Sequence, residues 1–111
     1  MTNPAKRKGD AAEIEVARLL ADLTGWPVRR KLGAGRLDDT GDLDGIPDTC
    51  VQVKNRGTYD RVPTYLTELR NQQHNAGSTF AALLLRRRGG RYIAVMDLDQ
   101  LATLLREATT P

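Results

Sequence analysis

Residues 41–56 have the sequence GDLDGIPDTCVQVKNR, and this stretch decides the fold that the chain is expected to adopt. It places an aspartate in a tight acidic turn, followed by a short β-branched strand that ends in a lysine. If the second half is a strand, Gln52 and Lys54 project from the same face. Val51 and Val53 then project from the opposite face, toward a core. An aspartate, a neutral oxygen ligand and a lysine held together can bind a divalent metal and a phosphate.

The composition predicts one globular domain over residues 1–111. With only five aromatic residues (one Trp, three Tyr and one Phe), the core must be built from Leu, Val, Ile and Ala. The net charge of +3 is compatible with a nucleic-acid partner but does not require one.

The cysteine content and hydropathy predict a soluble, intracellular, cytoplasmic protein. The lone Cys50 excludes an internal disulfide and is typical of a reducing cytosol. One Cys and one His argue against a zinc cluster. No apolar run approaches the roughly 18–20 residues of a membrane span, so no membrane association is expected, and no signal peptide precedes the first helix.

The periodicities predict the element order α-β-β-β-α-β-β-α, an α/β fold with a mixed central sheet flanked by helices. The first helix is expected from Asp10, as N-cap, to Gly25, after a polar segment over 1–9. That segment is either a frayed terminus or a basic arm along a phosphate backbone. The first helix's apolar stripe is predicted to be Val16, Leu19, Leu20 and Leu23. The remaining elements are predicted as strands over 26–32, 41–43, 49–54, 80–85 and 92–96, a helix over 62–76, and a last helix after Asp97.

Several polar positions leave alternatives open. Glu13 leans toward the buried side of the first helix, either as the capping-box partner of Asp10 or facing an active site. Gln73 falls on the stripe of the second helix (Val62, Leu66, Leu69 and Ala76), where a polar side chain needs a partner. His74 is expected to be exposed. The arginines at the tip of the hairpin over 86–91 either protect a sheet edge or contact phosphate.

The ordered set KGDAAE (8–13), GW (25–26), GDLDGIP (41–47) and VQVKNR (51–56) resembles the PD-(D/E)XK nuclease superfamily over roughly residues 6–90. Within it, the set looks most similar to the archaeal-type and phage-encoded Holliday-junction resolvases. The resemblance implies a restriction-endonuclease-like core. It also implies that Asp42 is the metal-binding aspartate, Lys54 the motif lysine, and Glu13 the helix carboxylate that completes the site.

Gln52 departs from this pattern, because the family usually has Glu or Asp there, although the Mrr-type restriction nucleases also carry Gln. An amide oxygen can still bind Mg²⁺ but brings no negative charge. Two unit charges about 4 Å apart interact by roughly 4 kcal/mol at an effective dielectric near 20. The loss of one carboxylate should therefore weaken metal binding, and Glu13 becomes the second anionic ligand.

The resemblance thus implies Glu13, Asp42, Gln52 and Lys54 as catalytic residues. Mg²⁺, with Mn²⁺ as a substitute, would be bound by Asp42, Gln52, the Val53 carbonyl and Glu13. Asp44 is not assigned to the metal and is expected either to lie on the opposite side of the turn or to reach a basic neighbour. The residues expected to contact DNA are Lys6, Arg7, Lys8, Arg29, Arg30, Lys31, Arg36, Asn55, Arg56 and Gln73.

The expected function is a metal-dependent DNA endonuclease selective for branched DNA, a Holliday-junction resolvase acting as a homodimer. If phage-encoded, it would act in the host cytoplasm. Its interface would be the leucine-rich last helix or a sheet edge. Two alternatives stay open. One is a DNA-binding module that lost cleavage through Gln52. The other is a nuclease acting on flap, single-stranded or linear DNA.

Overall fold

The computed structural model describes residues 3–32 and 39–110. The helices and strands along the chain are α1 (Pro4–Thr24), β1 (Arg29–Arg30), β2 (Leu43–Asp44), β3 (Thr49–Asn55), α2 (Val62–Ala76), β4 (Phe80–Arg86), β5 (Tyr92–Val95) and α3 (Leu98–Thr109). This is the element order expected from the sequence. None of the helices within the described residues is long and apolar enough to cross a membrane.

The main sheet has three strands in the order β3-β4-β5 and is mixed, which confirms the α/β prediction. β3 runs parallel to β4, with Gln52 opposite Leu83, and β5 runs antiparallel to β4. The continuous apolar sequence of β4 is explained by this central position, because side chains on both of its faces are buried. β1 and β2 form a separate two-stranded antiparallel sheet.

The two longer helices cover opposite faces of the main sheet. Val51 and Val53 belong to a core cluster with residues of α1, including Val16. Cys50, the neighbour of Val51 on the strand, belongs to a second cluster with Leu69 of α2. The alternation along β3 therefore separates the two cores, as the period of two predicts.

The start of α1 was predicted too late, at Asp10. The helix begins at Pro4, and the side chain of Asn3 accepts a hydrogen bond from the Lys6 backbone N–H at 2.9 Å. Asn as N-cap followed by Pro at the first helical position is a strong start signal. Residues 4–9 are consequently helical, and Asp10 lies inside the helix, so the capping-box explanation of Glu13 is wrong. The predicted end at Gly25, with φ +75°, is confirmed.

The buried face of α1 also differs from the predicted stripe. Ala12, Val16 and Ala17 are buried, whereas Leu19 and Leu23 are 42% and 81% exposed. Of the predicted stripe, Val16 lies in this core and Leu20 is partly buried against it, so the packed face is rotated toward Ala12 and Ala17.

The early strands are shorter than predicted. The first strand, expected over 26–32, contains only Arg29–Arg30. β2 pairs with β1 and does not form a ladder with β3. The residue just before β2, Asp42, is joined to β3, because its N–H donates a hydrogen bond to the Val51 carbonyl at 2.7 Å. This crossing brings the acidic turn against the edge of β3.

The second helix occupies the predicted range, and His74 is exposed as expected. Its buried residues are Tyr65, Leu69 and Gln72, so the predicted stripe omitted Tyr65, and Ala76 is exposed.

The last helix, α3, begins after Asp97 as predicted but buries none of its described residues. Leu98 and Leu105 are 79% and 57% exposed. The helix is anchored near its start, where the Ala81 N–H donates to Gln100 Oε1 at 2.8 Å. The leucine stripe of α3 (Leu98, Leu101, Leu104 and Leu105) is thus exposed and lies outside the core.

Candidate active site

The start of α1, the end of β3 and the segment that follows β3 enclose an open cleft of about 660 Å³. Four residues predicted for the site line it: Glu13, Asp42, Val53 and Lys54. Lys6, Lys8, Asn55 and Arg56 line it as well, together with Tyr65 of α2. Residues separated by more than fifty positions in the sequence are brought to one concave surface.

Asp42 is fixed at the edge of β3 by its own backbone and side chain. Gly41 has φ +101°, and a Cβ at that position would lie 2.8 Å from the Val51 carbonyl oxygen. Glycine is therefore required for the chain to cross so close to β3. Asp42 Oδ2 accepts a hydrogen bond from the Val53 N–H at 2.8 Å. The Gly-Asp pair thus presents the carboxylate to the cleft at a defined place.

The Val53 carbonyl faces the same edge as the Asp42 carboxylate. In an extended strand, the N–H and C=O of one residue point to the same side. Since the Val53 N–H is directed to Asp42, its carbonyl also points away from β4. This oxygen lies on the cleft side and outside the β3–β4 ladder.

Glu13 approaches from α1 and has a side chain that is only 16% exposed. Burial and the nearby Asp42 carboxylate raise its pKa, and the Arg30 guanidinium, 3.4 Å away, opposes this. Burial likewise raises the pKa of Asp42, against the effects of the Val53 hydrogen bond and Lys54. Two desolvated carboxylates that repel each other would be stabilised by a bound cation.

Gln52 and Lys54 leave the same face of β3, as predicted, but differ in their access to the cleft. Gln52 is 2% exposed and is not among the residues that line the cleft. Its Nε2 donates to Glu68 Oε2 at 2.7 Å. Its Oε1 is buried and has no hydrogen-bond partner among the described residues. Lys54 lines the cleft, with Nζ 3.7 Å from Glu68 Oε2 and 4.8 Å from the centre of the Tyr65 ring.

The predicted ligand set fits a hard divalent cation in its chemistry. Two carboxylates, one backbone carbonyl and one buried acceptor without a partner are all oxygen donors, which Mg²⁺ and Mn²⁺ prefer. Within residues 3–32 and 39–110, no three side chains among His, Cys, Asp and Glu come together as a metal site. Three carboxylates line the cleft, but Asp10 is already paired with Lys6 and Arg30, which favours Glu13 and Asp42 as the anionic ligands.

The residues predicted to contact DNA are distributed unevenly. Lys6, Lys8, Asn55 and Arg56 line the cleft, whereas Arg7 and Arg29 are exposed outside its lining. Several of these residues already bind protein groups, and Lys6 pairs with Asp10 at 2.9 Å. Arg30 pairs with Asp10 at 2.6 Å, Lys31 contacts Thr40 and Asp44, and Gln73 donates to the Ser78 and Thr79 carbonyls. The contact of Lys31 with Asp44 is the basic neighbour expected for that aspartate. Arg36 lies outside the described residues.

Two features of the site were not anticipated. Glu68, in contact with both Gln52 and Lys54, flanks the buried face of α2 three positions after Tyr65. Because Glu68 is three positions after Tyr65, a predicted stripe that included Tyr65 would have placed Glu68 near the sheet. The second feature is an adjoining pocket of about 320 Å³, which shares Lys8, Asn55 and Gly57 with the cleft and is also lined by Arg86, Arg87 and Arg88.

Comparison with known proteins finds no matching family model, no matching curated protein and no matching solved structure.

Proposed function

We propose that this protein is a metal-dependent endonuclease that hydrolyses phosphodiester bonds in DNA and is selective for branched DNA such as a Holliday junction. The observation that carries the proposal is the convergence of Glu13, Asp42 and Lys54 on one cleft. Two carboxylates of raised pKa beside an ammonium group suit a centre that binds a divalent cation and a phosphate.

In this proposal, Glu13, Asp42 and the Val53 carbonyl would hold Mg²⁺ or Mn²⁺ at the cleft, with Gln52 Oε1 as the neutral fourth oxygen. The ion, when bound, supplies Lewis-acid polarisation of the phosphodiester and a water of lowered pKa. Lys54 donates hydrogen bonds to the phosphate oxygens and stabilises the charge that develops on them. Arg30, paired with both Asp10 and Glu13, keeps the Glu13 carboxylate in place.

A basic surface supports nucleic acid as the substrate. Lys6, Lys8 and Arg56 line the cleft, and the adjoining pocket extends this surface to the β4–β5 hairpin. Arg86 pairs with Glu15 at 2.9 Å, and the Arg87 guanidinium lies over the Tyr59 ring, 4.4 Å from its centre. Arg88 is exposed and lines the adjoining pocket, so it is the arginine of this pocket that suits a phosphate contact.

The basic surface can be tested by binding. Arg88→Gln should reduce the dependence of log K on log salt by about one unit, because one phosphate contact is lost. Arg106→Gln, on exposed α3, serves as the control and should leave the slope unchanged. Equal slopes for both variants would remove the hairpin from the interface.

Resolution of a four-way junction requires two symmetric cuts, which a two-fold homodimer supplies. The exposed leucine stripe of α3 supports such a dimer, because self-association would remove it from water. We propose that this activity takes place in the cytoplasm.

One experiment tests the proposal and its alternative. Equal concentrations of four-way junction, flap, duplex and single-stranded DNA are incubated with the protein in Mg²⁺ and in Mn²⁺, with Asp42→Asn as control. We expect cleavage of the junction that Asp42→Asn abolishes. Cleavage that persists in Asp42→Asn would show that the assigned centre is wrong, and preferential cleavage of flap, duplex or single-stranded DNA would refute the junction preference.

Glutamine in place of a carboxylate at position 52 favours the alternative of a binding module without cleavage. That alternative predicts junction binding that weakens steeply with salt and no product in either metal.

A further inference from the structure

Glu68 links the two motif residues that leave β3 toward α2. One oxygen, Oε2, accepts a hydrogen bond from Gln52 Nε2 at 2.7 Å and lies 3.7 Å from Lys54 Nζ. Gln52 is almost fully buried, whereas the Glu68 side chain is 47% exposed. The carboxylate thus joins a buried amide to an ammonium group on the cleft wall.

The contact with Glu68 decides which end of the Gln52 amide is free. An ionised carboxylate only accepts hydrogen bonds, so Gln52 must direct its NH₂ group toward Glu68. Gln52 Oε1 is then turned away, where it is buried and unpaired among the described residues. An acceptor held in this way is available as a neutral ligand, and a freely rotating amide would not be.

Glu68 also restricts Lys54. A lysine side chain has four rotatable bonds and loses conformational entropy when it is held in one position. Here the ammonium group lies between the Glu68 carboxylate and the face of the Tyr65 ring, 4.8 Å from its centre. Both contacts come from α2, so the docking of this helix sets the position of the lysine in the cleft.

We infer that Glu68 is a positioning residue of the proposed centre, which orients the Gln52 amide and holds the Lys54 ammonium, and so supplies the negative charge that position 52 lacks. The inference rests on the proposed nuclease function. It explains why position 52 carries glutamine, since the residue at this position must donate a hydrogen bond to Glu68.

If Glu68 positions Gln52, a carboxylate placed at position 52 by itself should be harmful and not beneficial. Gln52→Glu alone would place two carboxylates in contact where a 2.7 Å hydrogen bond exists now. Combining Gln52→Glu with Glu68→Gln restores a donor and an acceptor, with the charge moved onto β3. Because positions 52 and 54 share a face, that carboxylate can still pair with Lys54.

The first part of the test uses the metal-free protein without DNA. Melting temperatures are measured for the wild type, both single variants and the double variant, with Glu107→Gln on exposed α3 as control. We expect Gln52→Glu to lower the melting temperature by at least about 5 °C and the double variant to recover most of this loss. The side-chain NH₂ signals of Gln52 in a ¹⁵N–¹H spectrum should shift in Glu68→Gln and not in the control.

The second part measures cleavage by the same proteins. Glu68→Gln should lower kcat about 10–100-fold with the KM for DNA unchanged, and the double variant should regain activity. A Glu68→Gln variant with wild-type kcat, or a Gln52→Glu variant that is both as stable as and more active than the wild type, would overturn the inference while the nuclease function stands. If the wild type cleaves no DNA, the nuclease function is refuted, and the melting temperatures and NH₂ signals decide whether Glu68 positions its neighbours.

Discussion

Replacement of Asp42 by asparagine should separate activity from stability. Asparagine has the same shape, and its Oδ1 can keep the hydrogen bond that the Val53 N–H donates at 2.8 Å. The change therefore removes one negative charge and little else. Of the three carboxylates that line the cleft, Glu13 and Asp10 would remain, and Asp10 is paired with Lys6 and Arg30.

The expected loss of metal binding is large. The attraction between two unit charges about 4 Å apart is roughly 4 kcal/mol at an effective dielectric near 20, which corresponds to about a thousand-fold in affinity. Titration calorimetry with Mn²⁺ measures this change directly, and cleavage of a four-way junction should become undetectable.

The expected effect on stability has the opposite sign. The pKa of Asp42 in the folded protein is raised above its ordinary value of 3.8, chiefly by burial. Between 3.8 and the raised pKa, the folded state holds more protons than the unfolded state, so this group makes the wild type less stable as the pH rises through that window. Asp42→Asn should therefore melt at a higher temperature than the wild type at pH 7, and the difference should vanish as the pH falls below 3.8.

A matched control is Asp22→Asn, which removes an exposed carboxylate of α1 outside the cleft. It should leave Mn²⁺ binding and cleavage unchanged. An Asp42→Asn variant that melts below the wild type at pH 7, or that binds Mn²⁺ as tightly, would refute the reasoning.

Three further predictions concern packing and surfaces. Gly45→Ala should lower the free energy of unfolding, measured in urea, by about 2–4 kcal/mol, because φ is +93° and the new Cβ would lie 2.3 Å from the Pro27 carbonyl oxygen. Gly77→Ala has a φ of +65° but open space around the Cβ, so it should lower that free energy by about 1 kcal/mol. Equal losses for the two variants would contradict this prediction. The Cys50 thiol is buried with its pKa raised to about 11, so iodoacetamide at pH 8 should not modify the folded protein, and rapid labelling without denaturant would disprove its burial. Leu101→Glu on α3 should convert the proposed dimer into a monomer that is still folded, with the mass measured by light scattering and the fold by its melting temperature. An unchanged mass would exclude this face of α3 as the interface.

The sequence predicted elements whose signals are local. The alternation along β3, the continuous apolar run of β4 and the glycine at the end of α1 were all interpreted correctly. The error at the start of α1 was also local, since Asn3-Pro4 is a stronger start signal than Asp10.

The buried face of α1 could not be predicted in the same way. A rule that places the largest apolar side chains inside selects Leu19 and Leu23, but the helix packs through Ala12 and Ala17. How closely a helix approaches a sheet depends on both surfaces together, and the sequence of one helix does not contain that information. The same holds for α3, whose leucine stripe is regular and yet remains outside the core.

The amino-acid sequence predicted the groups that could form a site: an aspartate after a glycine, a glutamine and a lysine on one face of a strand, and an inward glutamate on the first helix. Local backbone geometry fixes these relations. The burial of Gln52, its hydrogen bond to Glu68 and the position of Lys54 between Glu68 and Tyr65 came from the folded structure alone. These contacts depend on how α2 docks across the sheet, a long-range packing result that no spacing within the stretch over 41–56 encodes.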